Sequence, residues 1–234
     1  MIYKRVLIKI SGEALSGGKG TGFDFDFIET VCRTLSDLSK EGVEIGLVVG
    51  GGNFWRGLKD GAGKVERVSA DRMGMLATCM NCLAVCDVFK QIGQKAKVMT
   101  AFEVQGVGEY YTTEKAKHYL EKGYIVLFAG GTGAPYFSTD TAATLRAAEI
   151  GADAILLAKN IDGVNSADPK SDPSAVKYDE ITFTEVLEKR LGVMDSTATS
   201  MAMDNNMPVI VFALADVNNI KSVLNGEKVG TTVK

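Results

Sequence analysis

Short aliphatic runs alternate along this chain with longer stretches in which apolar residues recur every three or four positions. The runs at 6–10, 44–49, 96–100, 124–128, 154–158 and 209–212 predict strands, and several are so continuously apolar that both faces are expected to be buried. Between the first two, Phe27, Ile28, Val31, Leu35 and Leu38 follow helical spacing until Gly42 stops the element. A long helix is predicted over 71–92, ended by Gly93, and another over 140–150, with Thr139 as N-cap and Gly151 as stop. Strands alternating with helices predict an α/β fold, a three-layer α/β/α sandwich around a mainly parallel sheet. No repeat or Pro-rich linker interrupts the pattern, so 1–234 reads as one domain, with surface loops at 57–63 and 162–173.

In such a fold ligands sit at the carboxyl ends of the strands. Glycines gather at three of these ends: Ser11-Gly12, Gly50-Gly51-Gly52 and Gly130-Gly131-Thr132-Gly133. Glycine turns let main-chain N–H groups approach a ligand that a Cβ would exclude, and Arg56 adds a planar cation suited to phosphate. A plain tight turn with a solvated arginine explains the second cluster alone. Lys9 interrupts an apolar run, and it either faces an anion or leaves the sheet at an edge.

Composition narrows the class. Of 234 residues, 46% are hydrophobic and 24% charged, as in soluble globular proteins, and the net charge of −3 gives no electrostatic reason to expect nucleic acid as a partner. The N-terminus lacks an apolar signal region and the apolar stretches break before bilayer length, so a cytoplasmic protein with no membrane partner is expected. Cys79, Cys82 and Cys86 form a C-x2-C-x3-C pattern, but this spacing shares one helical face with Met75 and Leu83. With His118 the only histidine, reduced core cysteines, Cys32 among them, fit better than a metal site.

A Walker A loop is absent, because Gly63-Lys64-Val65 fails in spacing and hydroxyl, and Gly131-Thr132-Gly133-Ala134-Pro135-Tyr136 lacks the third glycine of a dinucleotide fingerprint. What remains is a distributed pattern: Lys9-Ile10-Ser11-Gly12-Glu13-Ala14-Leu15, the segment 50–57, Asp71-Arg72-Met73-Gly74-Met75-Leu76-Ala77-Thr78, the run Gly131-Thr132-Gly133-Ala134-Pro135-Tyr136-Phe137-Ser138-Thr139-Asp140, and Asp162-Gly163-Val164 with Ala167-Asp168-Pro169. In this order they resemble the amino-acid kinase family, in its bacterial uridylate (UMP) kinase branch, over essentially the whole chain. The resemblance implies phosphoryl transfer from ATP to UMP, with Mg²⁺ carried on the ATP phosphates and no metal held by protein side chains. It also implies a homohexamer, activated by GTP and inhibited by UTP.

By the same resemblance, Lys9, Ile10, Ser11, Gly12, Gly52 and Arg56 face the ATP phosphates, and Lys159, Asn160, Asn165 and Asp168 belong to the adenine pocket. Gly51, Asp71, Thr132, Gly133, Ala134, Pro135, Tyr136, Phe137, Ser138 and Thr139 hold UMP. Lys9, Arg56 and Asp140 form the catalytic group, with Asp140 steering Lys9. Phosphoryl transfer asks mainly for in-line positioning and charge neutralisation, which these cations and glycine N–H groups would supply. Blander roles stay open at this point: a helix cap for Asp71 and Thr139, a helix start for Asp140 and an Asp-Pro turn for Asp168. Asn165 departs from the family, which commonly has an aromatic residue there. Asp195 reads as a helix start, and Met201, Met203 and Met207 as core or subunit-contact residues. Two other functions remain: a sibling kinase acting on a carboxylate or carbamate, and a nucleotide sensor without turnover.

Overall fold

The computed structural model describes residues 1–56, 63–167, 172 and 174–234. The chain opens with β1 (Arg5–Ile10), a single turn α1 (Gly12–Leu15), α2 (Phe25–Lys40), β2 (Glu44–Val49) and the long α3 (Arg67–Gln91). Next come β3 (Ala96–Thr100), β4 (Glu109–Tyr110), α4 (Thr113–Glu121), β5 (Ile125–Ala129), α5 (Thr139–Ile150) and β6 (Ala154–Lys159). The rest comprises β7 (Val164–Asn165), β8 (Lys177–Tyr178), β9 (Glu180–Ile181), α6 (Phe183–Glu188), α7 (Ser196–Asp204), β10 (Val209–Ala213), α8 (Asn219–Leu224) and β11 (Thr231–Val233).

Among the described residues nine strands form one sheet in the order β4-β3-β5-β2-β1-β6-β10-β11-β9, while β7 and β8 pair antiparallel in a separate two-stranded sheet. Every neighbour pair in the large sheet is parallel except β10 with β11. The pleat sorts side chains onto two faces. Val6, Ile8 and Ile10 pack with Val31 and Leu35 of α2, Cys82 and Phe89 of α3 and Ile220 of α8. Leu7, Val48 and Val126 face the other way, onto Leu120 of α4, Ala147 of α5, Val186 of α6 and Ala202 of α7. Two cores on one sheet make the expected three-layer sandwich, and each fully buried Leu or Ile contributes roughly 1.5–3 kcal/mol.

Helix boundaries follow local chemistry. Asp24 caps α2 by accepting from Phe27 N at 3.2 Å. Gly151, left-handed at φ 67°, closes α5. The N-cap of α5 is Ser138, whose hydroxyl oxygen accepts from Asp140 N and Thr141 N, so Thr139 is the first helical residue and not the cap. Likewise α3 begins at Arg67, four residues before the expected start, and Asp71 lies in its second turn, which removes the capping role considered for it.

Cys32, Cys79, Cys82 and Cys86 are buried free thiols of the core. Burial pushes the Cys32 thiol up to about 12, so it packs as a hydrophobe and not as a thiolate. Contrary to the expectation that no stretch reaches bilayer length, α3 is long and apolar enough by length and composition to cross a membrane. More than half of its most apolar window is buried inside the fold, as befits a core helix.

Candidate active site

The strands β5, β2, β1 and β6 are adjacent and parallel, so the loops that leave their carboxyl ends emerge side by side. Gly50 N donates to Ile10 O at 2.9 Å and carries the β2 loop against the β1 loop. A Cβ on Gly12 would lie 2.4 Å from Gly50 O and 2.7 Å from Gly52 N, so only glycine permits this approach. Ser11 caps α1 through Ala14 N at 3.4 Å. Ile10 is 1% exposed, which leaves its main chain as the part that can face a ligand.

Lys9 does not sit at a sheet edge. Its strand is flanked by β2 and β6, and its side chain shares parity with Leu7 and points toward α5. There Nζ meets Asp140 Oδ1 at 2.7 Å, and Lys159 Nζ stands 3.8 Å from Asp140 Oδ2. Burial pushes the Asp140 carboxyl up, but the charges of Lys9 and Lys159 outweigh it and hold the carboxyl below the ordinary aspartate range. Burial lowers Lys159 below the usual lysine value, against the opposing pull of Asp140. Lys159 therefore stands at the Lys9–Asp140 centre, where the sequence expected an adenine contact; its ammonium also donates to Val193 O. Arg56 projects along the glycine loop, with Nη2 2.6 Å from Glu13 Oε1 and Nε 3.4 Å from Gly52 O.

Beside this centre a pocket opens between α3 and the β5–α5 loop, and Gly51, Asp71, Thr132, Phe137, Ser138 and Thr139 line it. Gly133, Ala134, Pro135 and Tyr136 form the bend of that loop; within it Thr132 Oγ1 donates to Ala134 O and accepts from Ala134 N, both at 3.1 Å. Asp71 Oδ2 accepts from Tyr136 N and from Arg67 Nε, each at 2.8 Å. Tyr136 holds a left-handed backbone, φ 72°, which costs a side-chain-bearing residue of order 1–3 kcal/mol. The Asp71 bond helps retain it, and the Arg67 guanidinium lies 5.1 Å from the Tyr136 ring centre. Ser138 is committed to capping α5, and its own hydroxyl donates to Asp195 Oδ2.

Four residues of this region escaped sequence reasoning as site elements: Arg67, Trp55, Thr78 and Asp195. Trp55 and Thr78 lie in quoted segments and line the pocket, and Thr78 Oγ1 also accepts from Gly130 N at 2.8 Å. Asp195 caps α7 through Ala198 N and accepts from Thr141 Oγ1, so the expected helix start also anchors the helix that carries Asp140. Only the helix start was legible, because the partner at Thr141 lies 54 residues away.

Around the expected adenine loop, Asn160 is exposed just past β6, and Asn165 lies opposite Lys177 across the β7–β8 pair. That pair is anchored by Thr231 Oγ1, which accepts from Val164 N at 2.8 Å and donates to Tyr178 O at 2.5 Å. Asp168 lies outside the described residues.

Residues 4–213 match the model of the amino acid kinase family. A protein of Pediococcus pentosaceus named uridylate kinase is 53% identical over 233 residues, covering 99% of this chain and 97% of that protein. The crystal structure of UMP kinase from Bacillus anthracis superposes with a TM-score of 0.96 at 37% identity, over 100% of this chain and 97% of that one. UMP kinase from Ureaplasma parvum gives 0.93 at 36%, with 100% of both chains covered. A family model spanning most of the residues, and a relative alike over nearly its full length, place this chain in the amino acid kinase family.

Proposed function

We propose that the protein is a UMP kinase that transfers the γ-phosphoryl group of ATP to the phosphate of UMP, yielding ADP and UDP. The observation that carries the reading is the Lys9–Asp140–Lys159 centre, placed where the glycine loops of β1 and β2 meet the Asp71 pocket. Its acceptor being already a phosphate oxygen, the reaction needs no strong general base. Lys9 and Lys159 bring two ammonium groups to Asp140, and cations held in place there suit the charge on a phosphoryl group in flight. Asp140 fixes the direction of Lys9, and Arg56 with the Gly12 and Gly52 main chain faces the donor phosphates. Asp71, through the oxygen not engaged by Tyr136 and Arg67, accepts from the ribose hydroxyls of UMP, while Thr139, free of capping duty, offers its hydroxyl to the UMP phosphate.

Among the described residues no group of three or more His, Cys, Asp or Glu side chains could hold a metal ion, and Asp140 is paired with lysines. In this reading Mg²⁺ would arrive on the ATP phosphates and supply charge neutralisation there.

Self-association is part of the same reading. Met73, Leu76, Met80 and Leu83 are each 40–48% exposed and follow one another along a face of α3, Leu83 contrary to the expectation that it shares the buried cysteine face; the stripe is suited to burial against another copy in a homohexamer. GTP as activator and UTP as inhibitor complete the proposal. UTP shares the uridine of the substrate and would compete for the Asp71 pocket.

Incubation with Mg-ATP and UMP, with products separated by anion exchange, tests the assignment. UDP formed in step with ADP is expected; ADP formed without UDP, or neither, overturns it.

A further inference from the structure

Beneath the glycine loop two asparagines form a closed amide pair. Asn53 Nδ2 donates to Asn81 Oδ1 at 3.0 Å, and Asn81 Nδ2 returns a bond to Asn53 Oδ1 at 2.7 Å. The remaining donors go to main-chain carbonyls: Asn81 Nδ2 to Gly50 O at 2.6 Å and Asn53 Nδ2 to Gly22 O at 2.9 Å. Both residues are buried, at 2% and 0% exposure. Only a side chain that donates and accepts at once closes this ring, so neither Asp nor Leu replaces Asn without stranding a buried polar group.

The pair ties the β2–α3 loop to the middle of α3. One turn earlier on α3, Thr78 accepts from Gly130 N, and further toward the N-terminus Asp71 accepts from Tyr136 N. A single helix thus holds the β2 loop, the start of the β5 loop and the bend over the acceptor pocket. The bond to Gly50 O turns that carbonyl toward the buried amide of Asn81, which keeps an acceptor oxygen from facing a bound phosphate. It also fixes the surface on which Gly12 packs, since a Cβ there would meet Gly50 O and Asn53 Oδ1.

We propose that Asn53 and Asn81 are positioning residues for phosphoryl transfer: their amide pair sets the Gly50-Gly51-Gly52 main chain in register with Gly12 and with the Asp71 pocket, and so aligns donor and acceptor. The proposal rests on the UMP kinase reading. It concerns residues that touch neither substrate, and its signature is a loss of alignment rather than of affinity.

The test measures kcat, the KM for UMP and for Mg-ATP, and the thermal midpoint for the wild type, Asn53→Ala, Asn81→Ala and the double variant, assayed well below every midpoint. Each single variant is expected to lose about 100-fold in kcat, the scale of a reactant misplaced by about 1 Å, with the UMP KM moved less than about threefold. The double variant is expected to lose little more than either single one, because the two act as a unit. Should Asn81→Ala not fold, Asn53→Ala reads the same pair from its other side. Lowered midpoints with kcat unchanged would overturn the proposal and leave a purely structural pair. A wild type without UMP turnover would overturn the functional reading and the proposal with it, whereas an active wild type with fully active variants overturns the proposal alone.

Discussion

Lys9 Nζ stands 2.7 Å from Asp140 Oδ1 across the boundary between the central sheet and α5, and both side chains are largely withdrawn from water. A lysine on a central strand faces the first turn of a helix, and that turn supplies the carboxylate. Burying such a pair costs desolvation that the mutual attraction only partly offsets, so stability alone is a weak reason for its presence.

Asp140→Asn removes the charge that orients Lys9 but keeps the shape. It is expected to lower kcat by about 100-fold or more, as the loss of a preorganised electrostatic group does, while the UMP KM changes little. Steady-state kinetics at saturating Mg-ATP check this, and unchanged turnover would reduce Asp140 to a helix-start residue.

Lys159 gives the pH dependence. Burial lowers its pKa below that of an ordinary lysine, so its ammonium is lost earlier as pH rises, and kcat is expected to fall on the alkaline side below the usual lysine value. The stability sign is opposite. The folded state binds fewer protons there than the unfolded chain, so stability rises with pH between the folded and unfolded values. Lys159→Arg keeps its charge throughout, and its kcat profile should lose the alkaline limb. An unchanged limb would assign it to another group.

Asp71 separates acceptor binding from chemistry. Asp71→Asn loses the charge that holds Arg67 and the Tyr136 main chain, and it is expected to raise the UMP KM roughly 10- to 100-fold, the scale of charge-assisted hydrogen bonds, with the ATP KM nearly constant. Trp55, the only tryptophan, lines this pocket and offers a fluorescence titration of UMP binding as an independent readout.

Glu109 tests stability far from the centre. Hydrogen bonds from Lys115, Lys97 and Tyr119 hold its carboxyl down to about 2. Its contribution is full above the ordinary glutamate pKa and is lost as pH falls through about 2. Glu109→Gln is expected to destabilise by about 1 kcal/mol at neutral pH, with the difference shrinking in acid, as denaturation at several pH values would show.

The sequence carried the sheet because its signal is local. Six aliphatic runs became β1, β2, β3, β5, β6 and β10 with ends within one residue. The two- and three-residue strands β4, β7, β8, β9 and β11 have no such signal, since tertiary pairing and not a run of Val and Ile makes them strands. The glycine loops were legible because each follows a strand. Two helix starts were not: α3 opens at Arg67 with no side-chain cap to mark it, and of Ser138 and Thr139, both good caps, Ser138 is the one that bonds Asp195, 57 residues away. The company of Lys159 was illegible for a similar reason: in sequence it adjoins the loop that follows it, and only the pairing of β6 with β1 brings it beside Lys9 and Asp140.

ADP release from Mg-ATP with UMP, CMP, dTMP, AMP and acetylglutamate as acceptors, against Lys9→Ala, shows whether the Lys9 centre transfers phosphoryl groups to UMP. Turnover selective for UMP that vanishes in Lys9→Ala is expected. Turnover with acetylglutamate, or UMP turnover that survives Lys9→Ala, would contradict this assignment.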